Sequence, residues 1–226
     1  MKSTIAEIKI ELKDDTGLMT IVRPAFKNAI STEMWQAIPE LLSILYTKGA
    51  RSVIIRGSDS CFAAGADLQE LKAIDSYQSA FKFWNSIKET LDFVHSFNIP
   101  TIALIEGPCL GGGCLLATAC DIRLANFESS FAIPIARFGI VLDDETVARL
   151  VGLVGPAMAA ELLFSGDTCY PVVEEALAIG LINRRLPAKD LEPKALNWQN
   201  IAGNAMLQYT KAKNQFDALY FREMVR

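Results

Sequence analysis

The chain has 226 residues, 51% of them hydrophobic and 21% charged, with a formal net charge of −4 and a pI near 5.2. That supports one sizeable core and is short for two independent catalytic domains. The acidic balance, without a concentrated basic stripe, argues against nucleic acid as a partner, and no stretch reaches the ~18 apolar residues of a membrane span.

Met1-Lys2-Ser3-Thr4-Ile5-Ala6 shows no apolar run of a secretion signal, so the expected location is cytoplasmic. Over 4–13, Ile5, Ile8, Ile10 and Leu12 fall mainly on strand spacing. Asp14-Asp15-Thr16-Gly17 supplies a turn into a second strand, Leu18–Val22, and the two form a hairpin. Ser31-Thr32-Glu33 opens a helix to Lys48-Gly49, with a kink expected at Pro39. A buried strand over 52–56 leads to a Gly/Ser/Ala loop, 57–66, and a helix from Asp67. Residues 77–97 suit a long amphipathic helix with Phe81, Trp84, Ile87, Leu91 and Val94 on one face. The single histidine, His95, lies near its end, which suits a helix-terminal role and excludes a His-based metal site. Strands are expected over 101–105, 122–125 and 130–133. From 143 the chain reads as mostly helical, interrupted by a short strand over 181–186. The alternation gives an α/β protein. Five cysteines, with Cys109, Cys114 and Cys120 in one small-residue run and no Cys-x-x-Cys pair, read as reduced, packed thiols.

The most telling stretch is Ile105-Glu106-Gly107-Pro108-Cys109-Leu110-Gly111-Gly112-Gly113-Cys114, a strand that runs through three glycines into an apolar helix. A glycine inside an element costs up to ~1 kcal/mol, so three together need a reason. Without a Cβ, a ligand can press against backbone N–H groups at a helix N-terminus. Unpaired donors and the positive end of the dipole suit an anion or a developing oxyanion there. No Lys-Ser or Lys-Thr follows, and Gly-x-Gly-x-x-Gly is absent, so the phosphate-loop and dinucleotide readings fail. A donor site for a carbonyl oxygen is the sharper reading. A second loop, Cys61-Phe62-Ala63-Ala64-Gly65-Ala66-Asp67-Leu68, also follows a strand and opens a helix that Asp67 can cap. Two such ends converging would form a two-donor hole; either loop alone is equally compatible with close packing.

Together, Phe62–Leu68 and Gly111-Gly112-Gly113-Cys114 closely resemble the enoyl-CoA hydratase/isomerase (crotonase) superfamily. Arg23-Pro24…Asn28-Ala29, Ala119–Ala125 and Ala176–Ile182 match as well. The resemblance spans about 20–190. It implies a ββα spiral core over 1–187, with 188–226 a helical C-terminal extension of the same domain, short for the family. It further implies a homotrimer or hexamer and an acyl-CoA thioester as substrate. Coenzyme A enters as part of that substrate, with no separate cofactor and no metal. By position, the backbone N–H groups of Ala66 and Gly112 would bind the thioester oxygen. Such a hole makes a proton beside the carbonyl removable, and the acid/base residues then choose the reaction.

Here the chain departs from the resemblance. Hydratases carry one Glu two positions after the triple glycine and another directly after the following Pro; this chain has Leu115 and Ile135. Neither moves a proton or positions water, so isomerase-like proton transfer is favoured over hydration. Aligned through Pro134, Gly139 and Arg149-Leu150, Asp143 falls where dienoyl-CoA isomerases carry a catalytic Asp. In an apolar pocket its pKa is expected to rise. An acidic trio, Asp143-Asp144-Glu145, is equally what helix capping favours, and the sequence leaves both roles open. Arg137 is the nominee for meeting a substrate carboxylate, against an ordinary salt bridge. Glu70 and Glu106 rank lower, and Tyr77, Phe81 and Trp84 read as core or pocket wall. Lys211, Lys213, Arg222 and Arg226 could meet phosphates or simply be solvated. The competing readings are an acyl-CoA decarboxylase and a non-catalytic acyl-CoA-binding or assembly subunit that kept the pocket and lost the acids.

Overall fold

The computed structural model describes residues 2–165, 172–197, 208 and 211–213. Its main sheet has seven strands. β1 (Lys2–Ile5), β2 (Ile8–Lys13) and β3 (Thr16–Ile21) are antiparallel. β4 (Ser52–Gly57), β5 (Thr101–Ile105), β7 (Ile122–Ala125) and β9 (Arg184–Arg185) then follow in parallel. The strand expected over 4–13 is split because Ala6 and Glu7 take positive φ, 46° and 61°, and turn the chain. The strand expected over 181–186 shortens to two residues at the sheet edge.

The central parallel strands β4 and β5 are apolar on both faces, as burial on both sides requires. Val53, Ile55, Ala103 and Ile105 join the larger core with α1 (Thr32–Thr47), α3 (Tyr77–His95) and α4 (Gly112–Ala119). Ile54, Ile102, Leu104 and Leu124 face the other way. There Leu191 and Ala195, from the helical residues 188–197, cover them. The described part of the C-terminal extension therefore covers the back of the sheet. Arg222 and Arg226 lie outside the described residues. Lys213 is not solvated: its Nζ lies 2.5 Å from Asp121 Oδ1 in a largely buried pair.

α1 is continuous through Pro39. Proline has no N–H, so the carbonyl of Trp35, four residues back, loses its helical partner. Thr90 of α3 supplies the replacement, its hydroxyl donating to Trp35 O at 2.6 Å. The remaining helices are α2 (Leu68–Lys72), α5 (Asp144–Val154), α6 (Pro156–Phe164) and α7 (Val173–Ala178). None of the described helices is long and apolar enough to cross a membrane.

A second, smaller sheet carries the site. It pairs β6 (Pro108–Leu110) with β8 (Ser130–Ala132) in parallel. On the other side of β6, Ala63 bridges Cys109, and Ala66 in turn bridges Ile30. β6 was not expected from sequence: three residues with a proline show no periodicity to detect.

Candidate active site

The two glycine-containing segments meet because they lie side by side in the small sheet. Phe62 N donates to Pro108 O at 3.0 Å and Leu110 N to Ala63 O at 2.9 Å. Parallel neighbours lie ~4.8 Å apart, and each here ends in a helix N-terminus. The upper segment turns at Gly65, φ 106°, and the lower at Gly111, φ 51° and ψ −124°. Both values suit glycine. A Cβ added to Gly112 would stand 3.3 Å from Ala66 N, and one added to Gly65 would stand 3.2 Å from Gly112 N. Among the described residues, neither the Ala66 nor the Gly112 N–H has a backbone acceptor. Two unpaired donors so close together are what a carbonyl oxygen gaining negative charge requires.

Asn28, Arg23 and Asp67 hold the upper segment; of the three, the sequence assigned a role only to Asp67, as a helix cap. Asn28, fully buried at φ 55°, donates from Nδ2 to Ser58 O at 2.9 Å and Cys61 O at 2.6 Å, and its Oδ1 accepts from Arg23 N at 2.9 Å. Arg23 Nη1 donates to Asp67 Oδ2 at 2.6 Å and to Ala29 O at 3.1 Å. Asp67, only 4% exposed, caps α2 by accepting from Gln69 N at 2.7 Å. Burial pushes its pKa up, but the Arg23 guanidinium and the backbone donors outweigh burial and hold it below the usual carboxylate range. An asparagine suited to left-handed φ was the available signal for Asn28.

Both donors open onto a cavity of ≈ 330 Å³, within the range of small-molecule sites. Its wall is mostly apolar, including Leu71, Trp84, Leu91 and Leu142. Leu115 and Ile135 line it directly, so the two positions where the resemblance expects hydratase acids carry apolar side chains in the cavity wall. Asp143 is the only carboxylate among the described lining residues, with Lys88, Asn85 and Thr146 beside it.

The structure shows Asp143 as the cap of α5 and places it on the cavity wall. Its Oδ1 accepts from Thr146 N at 3.0 Å and its Oδ2 from Thr146 Oγ1 at 2.9 Å. The expected upward pKa shift is corrected. Burial does push it up, but the Thr146 donors, Glu145 and the Lys88 ammonium outweigh burial and hold it below the usual range. Asp143 is therefore an ionised acceptor in the free protein.

The other candidates fall away from the cavity wall. Glu70 accepts from Thr32 N at 2.7 Å and Thr32 Oγ1 at 2.6 Å, at the start of α1. Glu106 faces a different depression, beside Lys13, Arg56 and Glu192. Arg137 is exposed and does not line the cavity, so the decarboxylase reading loses its carboxylate partner. Trp84 and Phe81 are pocket wall, whereas Tyr77 is exposed outside it and stacked on Phe81 at 6.1 Å. His95 ends α3. Cys61, Cys109, Cys114 and Cys120 are free and buried, and burial pushes Cys120 up to about 12; Cys169 lies outside the described residues.

Two sheets flanked by helices, with paired backbone donors opening onto an apolar cavity, make up an α/β protein with a site suited to a carbonyl oxygen, and comparison with known proteins makes the class specific. The enoyl-CoA hydratase/isomerase family model matches residues 11–225, and the chain belongs to this family. It is 34% identical over 208 residues to a probable mitochondrial enoyl-CoA hydratase 2 of Arabidopsis thaliana, covering 90% of this chain and 68% of that protein. It is 33% identical over 184 residues to an enoyl-CoA isomerase/hydratase of Mycosarcoma maydis, covering 76% of this chain and 66% of that one. A crystal structure of a putative enoyl-CoA hydratase/isomerase family protein from Hyphomonas neptunium superposes with a TM-score of 0.87 at 30% identity, covering 95% and 83%.

Proposed function

We propose that this chain binds an acyl-CoA thioester and moves a proton between carbons of its acyl group, rather than adding water to it. The thioester oxygen would sit between the N–H groups of Ala66 and Gly112, whose donors strengthen as the enolate forms. Asp143 would take the proton from one carbon and return it to another. The reading rests on one observation: the cavity under the paired donors has leucine and isoleucine at the two positions where the resemblance expects hydratase acids, and among the described residues Asp143 is its one carboxylate. Hydration needs a held water and a proton donor, whereas isomerisation needs one shuttling base. Asp143 is already ionised, and a substrate that strips water from the cavity raises its pKa toward the range a base needs. The assembly implied by the resemblance, a homotrimer or hexamer, belongs to the same proposal.

Deuterium uptake from D₂O into a panel of acyl- and enoyl-CoA thioesters tests this, with binding measured by calorimetry alongside. The expected result is exchange in the wild type that falls at least ~100-fold in Asp143→Asn, the usual scale of a general base. Saturable binding without exchange in any thioester would leave a non-catalytic binding subunit, the reading that loss of both hydratase acids also permits.

A further inference from the structure

Asp143 is held from behind by a chain of hydrogen bonds whose direction is fixed by valence. Arg149 of α5 points Nη2 at Thr146 Oγ1, 3.0 Å away, and at Asp92 Oδ1 of α3, 3.1 Å away, while its Nη1 reaches Leu91 O at 3.3 Å. A guanidinium only donates, so the Thr146 oxygen must accept from it. The hydroxyl has one hydrogen, and it goes to Asp143 Oδ2 at 2.9 Å. Thr146 is 3% exposed and the Arg149 side chain 10%, so water does not readily replace either contact. Lys88 of α3 closes the far end at 2.5 Å from Asp92 Oδ2 and 3.7 Å from Glu145.

We propose that Arg149 is a positioning residue for the reaction, holding Asp143 through the Thr146 hydroxyl as an oriented anion with its open lone pairs turned to the cavity. The inference rests on Asp143 as the base. Three carboxylates crowd this corner: Asp143 and Glu145 at the start of α5 and Asp92 on α3, with Asp144 exposed beside them. Lys88 and Arg149 are the cations that face them, and Arg137 on the neighbouring 135–138 turn is exposed. Of the two cations, only Arg149 reaches Asp143 through a directed hydrogen-bond path. Arg149 cannot deprotonate near neutral pH, so the bias it imposes is constant.

The test is a carbon-13 NMR titration of the Asp143 carboxyl, assigned with Asp143→Asn, run beside the pH profile of deuterium exchange. Thr146→Val keeps the shape and the backbone donor but removes the hydroxyl; Thr146→Ser restores it. In Thr146→Val the Asp143 titration and the acid limb of exchange are expected to move up together by about one pH unit. Thr146→Ser should return both, and Arg149→Met should copy the valine variant while Arg149→Lys shifts less. Thermal midpoints check that the Thr146 pair is folded. An unchanged titration in Thr146→Val, or no rescue by serine, overturns the positioning role even if Asp143→Asn abolishes exchange. Exchange that survives in Asp143→Asn, or is absent from the wild type, overturns the base assignment and the positioning role together.

Discussion

Gly112 sits where a methyl group would lie 3.1 Å from Trp35 Cζ2 and 3.3 Å from Ala66 N. Trp35 is fully buried and cannot give way cheaply, so the methyl would displace one donor of the pair. Gly112→Ala is expected to cut exchange by about 10²-fold or more, the scale of losing one oxyanion donor. Acyl-CoA affinity, read by calorimetry, should fall far less. Arg23 acts one step removed. Arg23→Met leaves Asp67 buried and unpaired, which typically costs about 3–5 kcal/mol, measurable by urea unfolding at neutral pH. Asp67 and Asp143 both have lowered pKa values in the folded chain. The stability they contribute is therefore complete above the ordinary carboxylate value of about 3.9. It is lost as pH falls through their own lowered values, so acid should weaken the wild type more than Arg23→Met. The sequence already marked Asp67 as a helix cap, but nothing local could pair it with a residue 44 positions earlier.

At the scale of elements, the contact between α1 and α3 shows how a breaker is accommodated. The helix continues past Pro39, and Thr90, 55 residues away from Trp35, supplies a donor to the orphaned carbonyl. Thr90→Val should destabilise the fold by about 1–3 kcal/mol through the unsatisfied Trp35 oxygen. The urea midpoint should fall with an unchanged slope, and Thr90→Ser should recover most of the loss. Most elements were legible because their signals are local: Ser31 caps α1, Ser76 caps α3, and alternation marks β2. β6 and the turn at Ala6-Glu7 were not, since one is three residues long and the other uses residues that rarely take positive φ. Capping of α5 by Asp143 was legible as one of two options. Its hydroxyl partner was three residues away in plain sight, but the lowered pKa also draws on Lys88, which only folding brings across from α3.

For the whole molecule, the cavity opens between α3, α5 and the two donor segments, and a ligand that fills it ties these elements together. Acyl-CoA at 100 times its dissociation constant should add about 2.7 kcal/mol. For a chain of this length that corresponds to a thermal midpoint roughly 5–10 °C higher. If the acyl group fills the apolar cavity as proposed, free coenzyme A should give a smaller shift. Fold and donor pair could be anticipated together because the glycine segments carry both. The relay behind Asp143 could not, because its members come from two helices separated by some 50 residues of chain.

The separation of the two donors is inherited from the repeat between neighbouring strands, not from any side chain in the cavity. The side chains of Leu115 and Ile135 line the cavity and are no part of that spacing. The present wall is a setting rather than a commitment. Placing glutamate at both positions asks whether the same backbone cradle can support water addition, read as hydration of an enoyl-CoA.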